Sequence, residues 1–272
     1  MDAIEIIKEA LHYPIDNMKN WLIICIVFLL TGVVQQIALN SNNTYVNLLM
    51  HLINILIIII IGGIFISIVK ESISGSSEIP MLDPVENLIL GIKSIIVQFI
   101  YLIIPALITL ILSIPLGVFD KFGKIINAIS TMNANSTINT TVNATNSVVI
   151  QSIPQNLIHD FVISIGILAI FCFILYVIFS LLSNISLGIL AETEDILAAL
   201  NIPAVISKIN SIGWSNYIVF IILALLTVIV IGIISSVITL IPYIGRIIAS
   251  FIVDAYLLTF MARAIGLIYN EG

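Results

Sequence analysis

Tyr217–Leu240 reads YIVFIILALLTVIVIGIISSVITL, Ile247–Ile268 reads IIASFIVDAYLLTFMARAIGLI, and only Ile241-Pro242-Tyr243-Ile244-Gly245-Arg246 lies between them. Each run reaches the roughly 20 apolar residues that carry a helix across about 30 Å of hydrocarbon. The Pro-Tyr-Ile-Gly link is too short for anything but a tight reversal at one bilayer face. The stretch therefore reads as a membrane hairpin, and the rest of the chain reads as further hairpins packed against it.

Composition agrees. Of 272 residues, 60% are hydrophobic and 9% charged, against about 25% charged in an ordinary soluble domain. A water-soluble fold of this length cannot hide so much apolar surface in one core. The net charge of -6 argues against nucleic acid as a partner and against a polybasic lipid anchor. Cys25 and Cys172 both sit in apolar runs, where cysteine behaves as a small hydrophobe. No cysteine–histidine spacing suggests zinc. Glu5, Glu9, Pro14 and Asp16 precede the first apolar run, which is not the short basic start of a cleavable signal peptide.

Taken in order, the apolar runs place spans at about 21–39, 46–69, 95–119, 158–182, 217–240 and 247–268. The expected fold is an all-α membrane bundle of six spans in three hairpins, forming a single domain. Asp2 to His12 alternates Ile4, Ile7 and Leu11 with Glu5, Lys8, Glu9 and His12, a helical period suited to lying on the membrane surface. Pro14 is expected to interrupt that helix, and Trp21 to open the first span at the aromatic belt. Asp83-Pro84-Val85-Glu86 is a helix start: Asp at the N-cap, Pro at the first helical position and Glu at the third. Its helix merges into the third span, which Pro105 and Pro115 should kink. Residues 120–157, rich in Asn and Thr, read as a flexible exposed loop. Glu192, Glu194 and Asp195 then lead to short helices around Pro203 and an interfacial Trp214. Three times an amphipathic stretch with a proline (Pro14, Pro84, Pro203) precedes a pair of spans, a weak internal repeat.

Basic residues set the orientation. With both termini cytoplasmic, Lys8, Lys19, Lys70, Lys93, Lys208 and Arg263 lie inside, against Lys121, Lys124 and Arg246 outside. The Asn-x-Ser/Thr acceptors at Asn42, Asn135, Asn139 and Asn143 then all face outward, where glycan transfer is possible. An Asn/Thr-rich loop also generates such triplets by chance, and Asn184 provides one on the inside.

Chemistry is sought first at ionisable residues at membrane depth, where an uncompensated charge costs several kcal/mol. Asp254 is the main candidate. Ser250 lies one turn before it, and the hairpin register faces it with Ser235 and Ser236. A hydroxyl-lined carboxylate there is either an ion or proton site or a hydrogen-bond knot between helices; the residues alone leave both open. Arg263, near the inner end, is expected to snorkel to the headgroups. His51, His159 and Asp160 fall near the outer surface without metal-ligand spacing. Gly62-Gly63, Ala262 and Gly266 permit close helix packing. No nucleophile–base arrangement, phosphate-binding glycine loop or paired carboxylate is present in the sequence, so no enzyme, metal or cofactor is expected.

Glu9-Ala10-Leu11-His12-Tyr13-Pro14 before Trp21, Ser77-Glu78-Ile79-Pro80-Met81-Leu82-Asp83 running through Gly91-Ile92-Lys93 to Tyr101 and Pro105, and Tyr256 through Ala262-Arg263 to Gly266 and Tyr269 resemble an uncharacterised prokaryotic membrane family, domain of unknown function 4013. Leu82 stands where that family usually has an aromatic, and Gly63-Ile64 where it has Gly-Tyr. The resemblance implies a multi-pass membrane protein, mostly archaeal or bacterial, and implies no activity. The expectation is a non-enzymatic protein that organises or binds lipids, a membrane-protein partner or further copies of itself. The alternative is a permease for a small solute or ion using Asp254; an intramembrane or lipid-modifying enzyme ranks third.

Overall fold

Lipid offers the backbone no hydrogen-bond partners, so a chain this apolar is restricted to elements that satisfy their own N–H and C=O groups. The computed structural model describes residues 1–136, 154–242 and 244–272, and every regular element among them is helical. In chain order these are α1 Ala3–Asp16, α2 Met18–Asn40, α3 Thr44–Ile73, α4 Pro84–Ser113, α5 Val118–Ser136 and α6 Gln155–Thr193. There follow α7 Ile196–Ala199, α8 Ile202–Ile212, α9 Trp214–Thr239 and α10 Gly245–Ile248. A π-helical segment, Ala249–Asp254, joins α10 to α11, Ala255–Asn270. Among the described residues, six helices are long and apolar enough to cross a membrane: α2, α3, α4, α6, α9 and the continuous Gly245–Asn270.

The helix starts are written locally. Asp2 accepts the Glu5 amide at 2.8 Å while Glu5 accepts the Asp2 amide at 3.3 Å, a reciprocal capping box. Asn43 caps α3 by accepting from the amides of Tyr45 and Val46. Asp83 Oδ1 accepts from Val85 at 2.9 Å and Glu86 at 3.1 Å, as its sequence leads one to expect.

Several boundaries differ from the sequence reading. Pro14 lies inside α1 and does not stop it; a proline removes one backbone donor, and near a helix end the loss is small. Asn17 ends α1, its amide and its side chain both donating to the Tyr13 carbonyl. The third span ends at Ser113, because Ile114–Gly117 turns, with Gly117 at φ 63, a conformation that favours glycine. Pro115 thus lies beyond the helix. Residues 120–157 are not all loop: the first part belongs to α5, where Val118, Phe122, Ile125, Ile126 and Ile129 recur at helical spacing. Residues 137–153 lie outside the described residues, and Asn139 and Asn143 with them.

The chain divides into two compact units, Met1–Ile100 with Leu181–Gly272, and Tyr101–Ser180. Helices α4 and α6, of 30 and 39 residues, span about 45 and 58 Å at 1.5 Å per residue and contribute to both.

In the first unit the last helix is the central post. Its apolar window is 61% buried, against 11% in α9 and 28% in α2 and α3. It packs on α3 and α1, its π-helical part lies against α2, and α2 packs on α3. Small residues let these helices touch through their backbones. A methyl group on Gly63 would overlap the Asn87 carbonyl, and one on Gly91 would overlap the Ile59 carbonyl, so α3 and α4 meet at a pair of facing glycines. Gly266 meets Ser72 of α3 in the same way. Where α4 lies on this unit, Asn87, Leu90, Ser94 and Val97 are buried, the every-third-or-fourth pattern of one helix face.

In the second unit, Phe122 of α5 stacks on Phe161 of α6 at 6.0 Å, and Tyr101 meets Phe179 at 6.3 Å. Lys121 donates to Ser164 Oγ at 2.5 Å, and Ser164 in turn donates to the Asp160 carbonyl.

Candidate functional site

The densest polar chemistry of the first unit gathers at one end, where α1, the 74–83 connection and α11 meet. Arg263 is its hub. Its side chain is only 5% exposed and pairs with Glu9 at 2.5 Å. It also donates to the Ser76 carbonyl and lies 4.9 Å from the centre of the Tyr13 ring. The expected snorkelling is therefore corrected. Glu9 of α1 and the 74–83 connection come to the guanidinium, so it has no need to reach for headgroups. The sequence could not show this, because the pair lies far apart in the chain and Glu9 looks like any exposed acid of a surface helix.

Further hydrogen bonds seal the same end. Tyr13 donates to the Glu78 carbonyl at 2.9 Å and Tyr256 to the Leu11 carbonyl at 2.6 Å. Asn17 and Asn20 donate to the carbonyls of Ser77 and Ile79. Burial holds the Tyr13 hydroxyl well above the usual phenol range. Backbone carbonyls of a connecting segment are thus held by side chains from three helices, which makes a loop into a fixed wall.

Beside this wall lies a half-open cavity of about 330 Å³. Its lining includes Asn20, Glu78 and Met81 together with Ser67, Lys70, Glu71, Glu86 and Asn87. Ser67 donates to Asn87 at 2.8 Å. Lys70 is held by Glu194 at 2.6 Å and approaches Glu86 at 3.8 Å. Lys93 donates to the Glu194 backbone carbonyl at 2.8 Å. Glu194 is the one described non-glycine residue with positive φ, at 53°, and two lysines hold it in that sparsely populated conformation. The Lys70 hydrogen bond, opposed by partial burial, holds the Glu194 carboxyl below its ordinary value. Met81, at the rim, is 91% exposed.

The residues singled out at membrane depth are only partly brought together. Ser250 is buried and donates to the Phe28 carbonyl of α2 at 3.0 Å. Asp254 is half-buried, one turn beyond Ser250. Ser236 donates to the Gly232 carbonyl of its own helix, and Ser235 is half-buried on α9. The hydroxyl that reaches across to another helix is thus Ser250, and its partner is α2. The π-helical segment that ends at Asp254 carries no sequence signal, although such segments are frequent at functional sites. Asn42 is exposed in the α2–α3 turn, and Asn135 falls within α5. His159 lies 3.9 Å from Asp160 in the second unit. Among the described residues no cluster of His, Cys, Asp and Glu is arranged to hold a metal.

Six membrane-length apolar helices and the helix-to-helix polar ties define a multi-pass helical membrane protein. Residues 46–241, well over half of the chain, match the family model described as "Protein of unknown function (DUF4013)". The chain belongs to that family. No curated protein and no solved structure matches it in these comparisons.

Proposed function

We propose that this protein is a non-enzymatic membrane scaffold that holds a partner protein at the polar end of its first unit. The observation that carries the reading is the cavity between Asn20, Glu78 and Glu86, with its Glu71 and Glu78 carboxylates, which have no ion-pair partner among the described residues, and the protruding Met81. A rigid acidic recess with an apolar lip fits a basic segment flanked by an apolar residue. The ionisable groups near it, Arg263 with Glu9 and Lys70 with Glu194, are engaged in holding helices together, which supports a binding role over catalysis.

The reading comes with a topology. The six spans form three antiparallel hairpins with both termini cytoplasmic, and α1 and α8 lie as interfacial helices in the cell membrane. In its support, residues that the basic-residue count assigns to one side are joined to each other: Glu9 with Arg263, Lys70 with Glu194, the N-terminal amine with Glu271, and Tyr269 with Glu192. Cysteine labelling tests this, since a thiol at Ser76 should be protected from outside and one at Ser130 accessible.

The function is tested by a photo-crosslinker at position 81 in native membranes, with position 130 as control. A single heterologous partner captured at 81, and lost in Glu78→Lys with Glu71→Lys, is the expected result. Recovery of this chain alone, or a partner insensitive to the two reversals, removes the reading.

A second reading, a permease for a small solute or ion, is favoured by the π-helical segment ending at Asp254 beside Ser250. Asp254→Asn should then abolish flux in proteoliposomes while leaving the melting temperature unchanged. Equal flux from both proteins removes it.

A further inference from the structure

The opposite end of the first unit holds a second cavity, of about 290 Å³, between α2, α3 and the start of α10. We infer that it binds the headgroup of an anionic phospholipid carrying free hydroxyls, such as phosphatidylglycerol.

The lining divides by chemistry. Arg246 contributes a full positive charge and has no ion-pair partner among the described residues. His51 stands beside it on α3 as a second nitrogen donor. No carboxylate lines this cavity, although acids outnumber bases in the chain, fifteen to nine. An isolated guanidinium with nothing to neutralise it favours a phosphate, which it can grip with two parallel hydrogen bonds.

Asn54 gives the second half of the argument. Its side-chain oxygen is buried and accepts no hydrogen bond from the described residues. Leaving such a group unmet costs about 1–3 kcal/mol, and a hydroxyl donor would satisfy it once the amide turns toward the cavity. Gln35, also in the lining and without a hydrogen-bond partner among the described residues, offers another acceptor. Phosphate next to the arginine and hydroxyls next to the two amides describe one kind of headgroup.

Depth and walls select a lipid over a soluble anion. Counting 1.5 Å per residue, Gln35 lies about 7 Å from the end of α2, and His51 and Asn54 about 10 and 15 Å into α3. That range straddles the boundary between headgroups and hydrocarbon. Leu39 and Met50 form part of the wall, and Leu39 is 64% exposed, an apolar surface along which an acyl chain can leave. The inference concerns a different site from the partner cavity, so either can fail without the other.

The test uses purified full-length protein in detergent, titrated with dioctanoyl phosphatidylglycerol, dioctanoyl phosphatidylcholine, dioctanoyl phosphatidic acid and inorganic phosphate. Binding is read by native mass spectrometry and by melting temperature. Phosphatidylglycerol should bind and raise the melting temperature; phosphatidylcholine and inorganic phosphate should not. Arg246→Gln should weaken phosphatidylglycerol about tenfold, the effect of one lost charge-assisted contact. Asn54→Leu should erase the preference over phosphatidic acid; if that variant does not fold, Gln35→Met should reduce it. Equal binding of the glycerol and choline lipids, unchanged affinity in Arg246→Gln, or protection by inorganic phosphate alone would each overturn the proposal.

Discussion

The two arginines of the last helix, Arg246 and Arg263, sit in opposite circumstances although the helix connecting them is continuous. Arg263 is buried, paired with Glu9, and bound to the Ser76 carbonyl. Arg246 is exposed, at the rim of a cavity, with no acid in its lining. The same contrast extends to their neighbours. Around Arg263, side chains of Tyr13, Asn17, Asn20 and Tyr256 each find a carbonyl on another element. Around Arg246, Asn54 and Gln35 find none among the described residues. One end of the unit is fastened by many polar ties, although Arg263 Nε and Trp21 Nε1 stay without a partner among the described residues, and the other has few such ties. A charge at membrane depth is thus no single signal: its meaning depends on whether the fold brings it a counter-charge.

Arg263→Ala gives the largest expected effect. It removes the charged hydrogen bonds to Glu9 and the Ser76 carbonyl and the contact with the Tyr13 ring, a loss of about 3 kcal/mol from hydrogen bonds made by a charged group. The melting temperature in detergent should fall by several degrees, and a cysteine at Ala10, fully buried in the native protein, should become labelled. Arg246→Ala should leave the lipid-free melting temperature unchanged; an equal fall in both variants breaks the comparison. Gly91→Leu comes next. Its side chain cannot coexist with the Ile59 carbonyl, and overpacking of this kind costs about 1–3 kcal/mol, visible as loss of a monodisperse peak in size-exclusion chromatography. Tyr256→Phe removes one hydrogen bond to the Leu11 carbonyl and should cost about 1 kcal/mol, with α1 labelled faster but the rest unchanged.

The smallest effect concerns pH. The Glu194 carboxyl is held below its ordinary value of 4.5, chiefly by Lys70. Its contribution is therefore complete above that ordinary value and disappears as pH falls through the lower value of the folded state. The Glu194 side chain is 41% exposed, so screening limits the pair to less than about 1 kcal/mol. A shallow acid-side decline in melting temperature, absent in Lys70→Met, is the expected observation. A decline of equal depth in Lys70→Met would assign it to other carboxylates.

The spans were legible because an apolar run in lipid has one structural outcome, and the Asp83 helix start because a cap is a local device. The second helix capping box, Asp2 with Glu5, uses the same residue types and was equally available to inspection. What the chain order concealed were relations between distant residues. Nothing adjacent to Arg263 announces Glu9, and nothing in Ala249–Asp254 announces a wider helical turn. The α5 helix was hidden differently, its apolar period overlapping an Asn/Thr-rich tract whose composition reads as loop. Of the proposed polar cluster at Asp254, the Ser250 contribution was readable from helical spacing. Its actual tie, to the Phe28 carbonyl, required knowing that α2 packs against this segment.

The π-helical turn also sets the phase of everything beyond it. An α-helix advances about 100° per residue, and the wider turn accommodates one residue more than the regular pitch. Winding Ala249–Asp254 as regular α-helix without changing its length would swing the Arg263 end around its axis by roughly that angle, pointing the guanidinium away from Glu9, whereas deleting one residue there would close the wide turn and leave the two ends nearly in phase. The segment is a clutch plate between two faces of one rod: six residues near one end of a spanning helix decide whether the far end engages its partners.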